Sequence, residues 1–143
     1  MDLLKRENVQ ICESARDWKD AIRISARLLE EHGYIEPRYK EAIISKVEEL
    51  GPYILIADDI ALPHARPEEG VLKPQLGVTL FRQPVAFEDE EGKTARLFVT
   101  LAAKDNNSHL DTLLEISELL GEEEEAAKVI ASKDEDTLYS YFQ

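Results

Sequence analysis

The chain has 143 residues, 43% of them hydrophobic, and carries 17 Lys and Arg against 30 Asp and Glu, a formal net charge of −13. That length suits one domain burying roughly 70% of its unfolded surface, and the acidity opposes both nucleic-acid binding through phosphate neutralisation and adsorption to anionic lipid. No apolar run approaches the roughly 20 residues that span a bilayer, and a single cysteine, Cys12, excludes an intramolecular disulfide; the expectation is a soluble, cytoplasmic protein with no direct membrane insertion.

In chain order, Val9-Gln10-Ile11-Cys12 alternates as a short strand, with Cys12 acting as a small buried hydrophobe. Ser14, with Asp17 three residues on, predicts a capping box that opens a helix. The stripe Ala15, Trp18, Ala21-Ile22, Ser25, Leu28-Leu29 then runs at helical spacing until Gly33 stops it. His32, just before that glycine, reads as a structural residue complementing the last carbonyls of the helix. Pro37 suits the first position of a second helix, whose stripe Tyr39, Ile43, Val47, Leu50 ends at Gly51-Pro52. Tyr53-Ile54-Leu55-Ile56-Ala57 reads as a short buried strand, and Asp58-Asp59 as a turn.

Two stronger strands follow, Leu76-Gly77-Val78-Thr79-Leu80-Phe81 and Ala95-Arg96-Leu97-Phe98-Val99-Thr100-Leu101, both rich in β-branched and aromatic residues. Between them Val85-Ala86-Phe87 reads as a brief edge piece before a polar turn at residues 88–93. A helical stripe of Leu110, Leu113-Leu114, Ser117 and Leu120 closes at Gly121, followed by a Glu-rich segment over 122–131 and an amphipathic tail around Leu138, Tyr141 and Phe142. With no repeat or linker to divide it, residues 1–143 form a single domain. The expected fold is an α/β sandwich, a central mixed sheet flanked by helices on both faces.

The chemistry concentrates in Ile60-Ala61-Leu62-Pro63-His64-Ala65-Arg66-Pro67-Glu68. Pro63 and Pro67 fix their own φ and push Leu62 and Arg66 toward extended backbone, so the loop is stiff where the imidazole must point. A neutral histidine near pH 7 offers a nucleophilic nitrogen. The local residues leave two readings open, an aimed nucleophile or ligand and a loop histidine without a task. Arg66 could present a fork of donors to an oxyanion or pair with Glu68 or Glu69. His109 follows Ser108, a candidate N-cap with Asp111 as its third-position partner, which places the histidine in the first turn of a helix. The backbone N–H groups there favour anions.

The run Ile60-Ala61-Leu62-Pro63-His64-Ala65-Arg66 resembles the phosphorylation motif of the enzyme IIA components of the bacterial phosphoenolpyruvate-dependent sugar phosphotransferase system, mannitol/fructose type. The extension Pro67-Glu68-Glu69-Gly70-Val71 is similar to its ascorbate-specific branch. Further resemblance lies in Trp18-Lys19-Asp20-Ala21-Ile22, in Leu28-Leu29-Glu30-Glu31-His32-Gly33-Tyr34-Ile35, in Tyr39-Lys40-Glu41-Ala42-Ile43, in Gly51-Pro52-Tyr53 and in Asn106-Asn107-Ser108-His109-Leu110, so it covers nearly the whole chain.

The resemblance implies a phosphocarrier in which His64, through Nε2, accepts a phosphoryl group from the phosphocarrier protein HPr. It then passes the group to a cysteine of enzyme IIB, which acts with the membrane component IIC. It also implies His109 as the second histidine stabilising the phosphoryl group, Arg66 as a phosphoryl contact, and no cofactor or metal. The chain departs from the mannitol type in one respect: the arginine carried there by the helix before the loop falls closest to Val47. A regulatory phosphohistidine protein of the nitrogen-regulatory type is the alternative. A zinc hydrolase using His64, His109 and Asp59 lacks any His-Glu-x-x-His spacing.

Overall fold

Asp17 opens the first helix: its carboxylate accepts the backbone N–H of Asp20, and α1 runs over Trp18–Glu31. The cap is therefore Asp17 and not Ser14, three residues later than expected, and the Asp20 side chain turns back to accept the Arg16 N–H. Gly33, at φ +80, ends the helix in the left-handed region while Tyr34 N–H returns to the Leu29 carbonyl. His32 sits at this C-cap with Nδ1 2.7 Å from Asn8 Oδ1. Pro37 begins α2, Pro37–Leu50, and Gly51 stops it.

The structure, a computed structural model, describes residues 3–87 and 93–143, and of residues 106–109 the backbone alone. Its strands are β1 Val9–Cys12, β2 Leu55–Ala57, β3 Asp59–Ala61, β4 Gln75–Ala86 and β5 Thr94–Ala102; the later helices are α3 Asn106–Leu120, α4 Glu123–Ile130 and α5 Glu135–Tyr141. The strands form one mixed sheet in the order β1-β4-β5-β3-β2. β1 runs parallel to β4 and β3 parallel to β5, while β4–β5 and β2–β3 are antiparallel.

The two central strands are apolar on both faces, as a sheet covered on both sides requires. Phe81, Phe98 and Ala102 face α1 and α2, packing with Ile22, Leu29, Tyr39 and Ile43. Leu76, Val78, Leu80, Leu97, Val99 and Leu101 face α3–α5 and meet Ile116, Leu120, Val129, Leu138 and Phe142. From Leu97 to Ala102 the alternation of odd and even positions along β5 sorts its apolar residues between these two cores. Cys12 is half-buried at the end of β1 against the first core, with burial pushing its thiol pKa up.

Four expectations need correction. The segment at 53–57 is no buried strand: β2 is an edge strand with Ile56 and Ala57 exposed, and the inner strand is β3. Asp59, expected in a turn, opens β3 at φ 68 and binds Arg96 Nε at 2.9 Å, pinning β3 to β5. Val85-Ala86 belongs to β4, paired with Ala95 and Thr94 after a register shift between Leu80 and Val85. Pro84, with no N–H to give the ladder, lies within that irregular stretch. Finally, α3 begins at Asn106 rather than after Ser108, and buries Ile116 and Leu120 while Leu110 and Leu114 are exposed. The polar turn expected at 88–93 lies, apart from Lys93, outside the described residues.

Candidate functional site

Past the end of β3 the chain stays tied to both of its neighbours in the sheet. Leu62 N–H donates to the Ile54 carbonyl at 2.7 Å, and Leu101 N–H donates to the Pro63 carbonyl at 3.0 Å. Leu62 and Pro63 are buried. The next residue, His64, is the first whose side chain is partly exposed, at the carboxyl ends of the parallel strands β3 and β5.

The His64 ring is held by its own loop. Nδ1 lies 2.7 Å from the Leu62 carbonyl oxygen. A carbonyl only accepts, so Nδ1 carries the hydrogen, and in the neutral ring the lone pair resides on Nε2. The Tyr53 ring meets the imidazole edge-on, with centroids 5.4 Å apart at 77°.

Two tyrosine hydroxyls hold the backbone beside the ring. Tyr53 donates to the His64 carbonyl at 2.6 Å. Tyr39, fully buried on α2, accepts the Ala65 N–H at 3.0 Å and donates to the Leu101 carbonyl at 2.7 Å. Burial pushes the pKa of both phenols up to about 12, so both keep the proton that they donate.

Arg66 is exposed, and the contact it makes with Glu69 runs through its backbone: Arg66 N–H donates to Glu69 Oε1 at 3.0 Å. The cation on Glu69 is Lys46, at 2.6 Å, and this hydrogen bond holds the Glu69 carboxyl below the usual carboxylate range. α2 thus presents Lys46 to the turn that follows the loop, whereas Val47 is buried in the core.

His109 is the fourth residue of α3, not the first as the expected Ser108 cap would make it, and its side chain lies outside the described residues. His32 is engaged with Asn8 at the end of α1, as a structural residue would be. Asp59 is occupied by Arg96. Among the described residues, no group of three or more His, Cys, Asp or Glu side chains is arranged to hold a metal ion.

Nothing local in the sequence marked Tyr39, Tyr53 and Lys46 as parts of this site, and Glu69 was marked only as a candidate partner of the Arg66 side chain. Tyr39 lay in an apolar helical stripe and Tyr53 in an apolar run, and neither position marks where its hydroxyl goes.

Among the described residues, no helix is long and apolar enough to cross a membrane. Comparison with known proteins bears directly on this loop and its sheet. A family model for the phosphoenolpyruvate-dependent sugar phosphotransferase system, EIIA 2, matches residues 2–143. The chain is 34% identical over 134 residues to the ascorbate-specific PTS system EIIA component of Shigella boydii, covering 93% of this chain and 87% of that one. The Escherichia coli protein of the same name is 33% identical over the same length and coverage. The solution structure of the mannitol-specific cryptic phosphotransferase enzyme IIA of Escherichia coli superposes with a TM-score of 0.91 at 34% identity, covering 99% of this chain and 95% of that one. The complex of enzyme IIA and phosphorylated enzyme IIB for mannitol from Escherichia coli matches with a TM-score of 0.83 at 28% identity, over 98% of each chain. The chain belongs to the EIIA type 2 family of the sugar phosphotransferase system, whose members are phosphotransferases.

Proposed function

We propose that this chain is the phosphocarrier of a sugar uptake system, with His64 as the residue that carries the phosphoryl group. The observation that supports it most directly is the Nδ1–H bond to the Leu62 carbonyl, which leaves the lone pair of the neutral ring on Nε2. Nε2 attacks the phosphorus of phospho-HPr; the new N–P bond forms as the donor's N–P bond breaks, and that bonding pair returns to the donor imidazole. A thiolate of enzyme IIB then attacks the same phosphorus, and the N–P pair returns to His64. Transfer through a loose, in-line transition state asks the protein for position and charge stabilisation rather than for covalent chemistry of its own. A phosphoryl group on nitrogen stays reactive toward the next nucleophile.

In this reading Arg66, exposed two residues from His64, donates to the phosphoryl oxygens, and His109 on α3 is a second donor. Enzyme IIB as acceptor is supported by the mannitol complex that shares this fold. The relatives named for ascorbate support that substrate branch, as does the run Pro67-Glu68-Glu69-Gly70-Val71.

The test is transfer from phosphoenolpyruvate through enzyme I and HPr to the full chain and to His64→Gln. Wild type takes up acid-labile, alkali-stable phosphate and the variant takes up none. Equal labelling of a folded His64→Gln protein would overturn the assignment. Onward transfer to ascorbate-type and mannitol-type IIB, compared side by side, decides the branch.

A further inference from the structure

The hydroxyls of Tyr53 and Tyr39 end on one and the same peptide group. Tyr53 donates to its carbonyl, on His64, at 2.6 Å, and Tyr39 accepts from its N–H, on Ala65, at 3.0 Å. There is no cis peptide bond among the described residues, so this group is trans and its C=O and N–H point in opposite directions. The two tyrosines therefore grip it from opposite sides. A planar peptide held at both ends cannot rotate about the axis between its flanking Cα atoms, which fixes ψ of His64 and φ of Ala65 together.

We infer that Tyr39 and Tyr53 are positioning residues of the His64 site, a pair that immobilises the His64–Ala65 peptide and through it keeps the imidazole in the Nδ1–H tautomer. Neither hydroxyl touches the ring nitrogens; they act through the backbone. The ring can reach the Leu62 carbonyl at 2.7 Å only while the backbone of His64 holds its Cβ in place. Release of the peptide lets the ring drift from that acceptor, and an imidazole without it populates both tautomers. One of those puts the hydrogen on Nε2 and removes the nucleophile.

The grip is itself anchored. Tyr39 donates its O–H to the Leu101 carbonyl at 2.7 Å, and the N–H of Leu101 donates to the Pro63 carbonyl at 3.0 Å. Both polar backbone groups of one residue in β5 thus serve the residues on either side of His64. Tyr53 adds a contact of its own, the edge of its ring against the imidazole, which limits rotation about χ2.

The inference rests on the phosphocarrier reading for its kinetic part and stands on His64 alone for its structural part. The experiment uses the full chain with 15N-labelled histidine, as wild type, Tyr39→Phe and Tyr53→Phe. Ring 15N shifts report the tautomer of His64, and phosphoryl transfer is followed from phospho-HPr and from phosphoramidate, a donor too small to need docking. Wild type is expected to show the Nδ1–H tautomer alone. Each variant should show a mixture and lose about ten- to a hundredfold in kcat with KM for HPr unchanged, the range a misplaced reacting atom costs.

Folded variants that keep the single tautomer and the wild-type kcat overturn the inference. So does a loss carried by KM with the tautomer unchanged. If Tyr39→Phe fails to fold, Tyr53→Phe, which keeps its ring and loses only the hydroxyl, decides the matter alone. If wild type takes no phosphate from either donor while both variants scramble the tautomer, the clamp stands and the phosphocarrier reading falls.

Discussion

Removing the Tyr39 hydroxyl makes a prediction about stability that depends on pH in a direction set by its burial. Tyr39→Phe leaves the Ala65 N–H and the Leu101 carbonyl without their partner. An unpaired buried group costs about 1–3 kcal/mol; with Ala65 half-exposed to water, the sum near neutral pH is about 2 kcal/mol. The wild-type phenol titrates at about 12 in the folded protein and at about 10 in the unfolded chain. Between those values the unfolded state binds fewer protons than the native one, so the free energy of unfolding falls as pH rises. Two units at 1.36 kcal/mol each amount to about 2–3 kcal/mol, lost by wild type across that window and not by the phenylalanine variant. The variant should therefore be the less stable protein at about pH 8 and draw level with wild type toward pH 12. Urea unfolding of both proteins at a series of alkaline pH values measures the difference, and Lys, Arg and Tyr53 cancel because both proteins carry them. A stability difference that does not change with pH would refute the argument from burial.

Three other changes probe the supports of the site. Gly70 lies at φ +137, and a Cβ there would come 3.0 Å from Tyr39 Cβ and 3.2 Å from Tyr39 N; Gly70→Ala should cost about 2–4 kcal/mol by strain and overlap, read from the urea midpoint, and a loss under about 1 kcal/mol would mean that the turn yields. Asp17→Ala removes the acceptor for Asp20 N–H and should lower stability by about 1 kcal/mol, largely restored in Asp17→Asn. Lys46→Met removes the cation that depresses the Glu69 pKa. That ion pair stabilises the fold above the unfolded carboxylate pKa and is lost as pH falls, so the variant should lose less stability on acidification than wild type, by about 1 kcal/mol or less. Parallel acid titrations would remove Glu69 from the account.

The long elements were legible because their residues repeat at the period of the structure they form. α1 and α2 carry apolar positions three and four apart, ended by Gly33 and Gly51, and β4 and β5 carry unbroken apolar runs that a sheet buried on both faces requires. The β2–β3 hairpin was not legible, since strands of three residues contain no period to read. What separates the exposed Ile56 from the buried Ile60 is that β2 is the edge and β3 lies inside, a fact of topology. On α3 the leucines are spaced so that more than one face is apolar; the sheet takes the face of Ile116 and Leu120 and leaves Leu110 and Leu114 outside.

His64 stood out because prolines bracket it, whereas the groups that hold its peptide come from Tyr53, 11 positions before His64, and Tyr39, 26 positions before Ala65. This changes how a phosphoryl group on His64 would be accommodated. In the structure the Ala65 N–H is engaged by Tyr39 and the Arg66 N–H by Glu69, and giving up either would release the loop that aims the ring. The Lys46 cation is likewise taken by Glu69. In the phosphocarrier reading, then, the charge falls to donors that do not hold the loop: the guanidinium of Arg66 and the first turn of α3. That turn begins five residues after Leu101, whose backbone is tied to Pro63. Rigidity and charge stabilisation are thereby assigned to separate groups, which lets one be altered without the other.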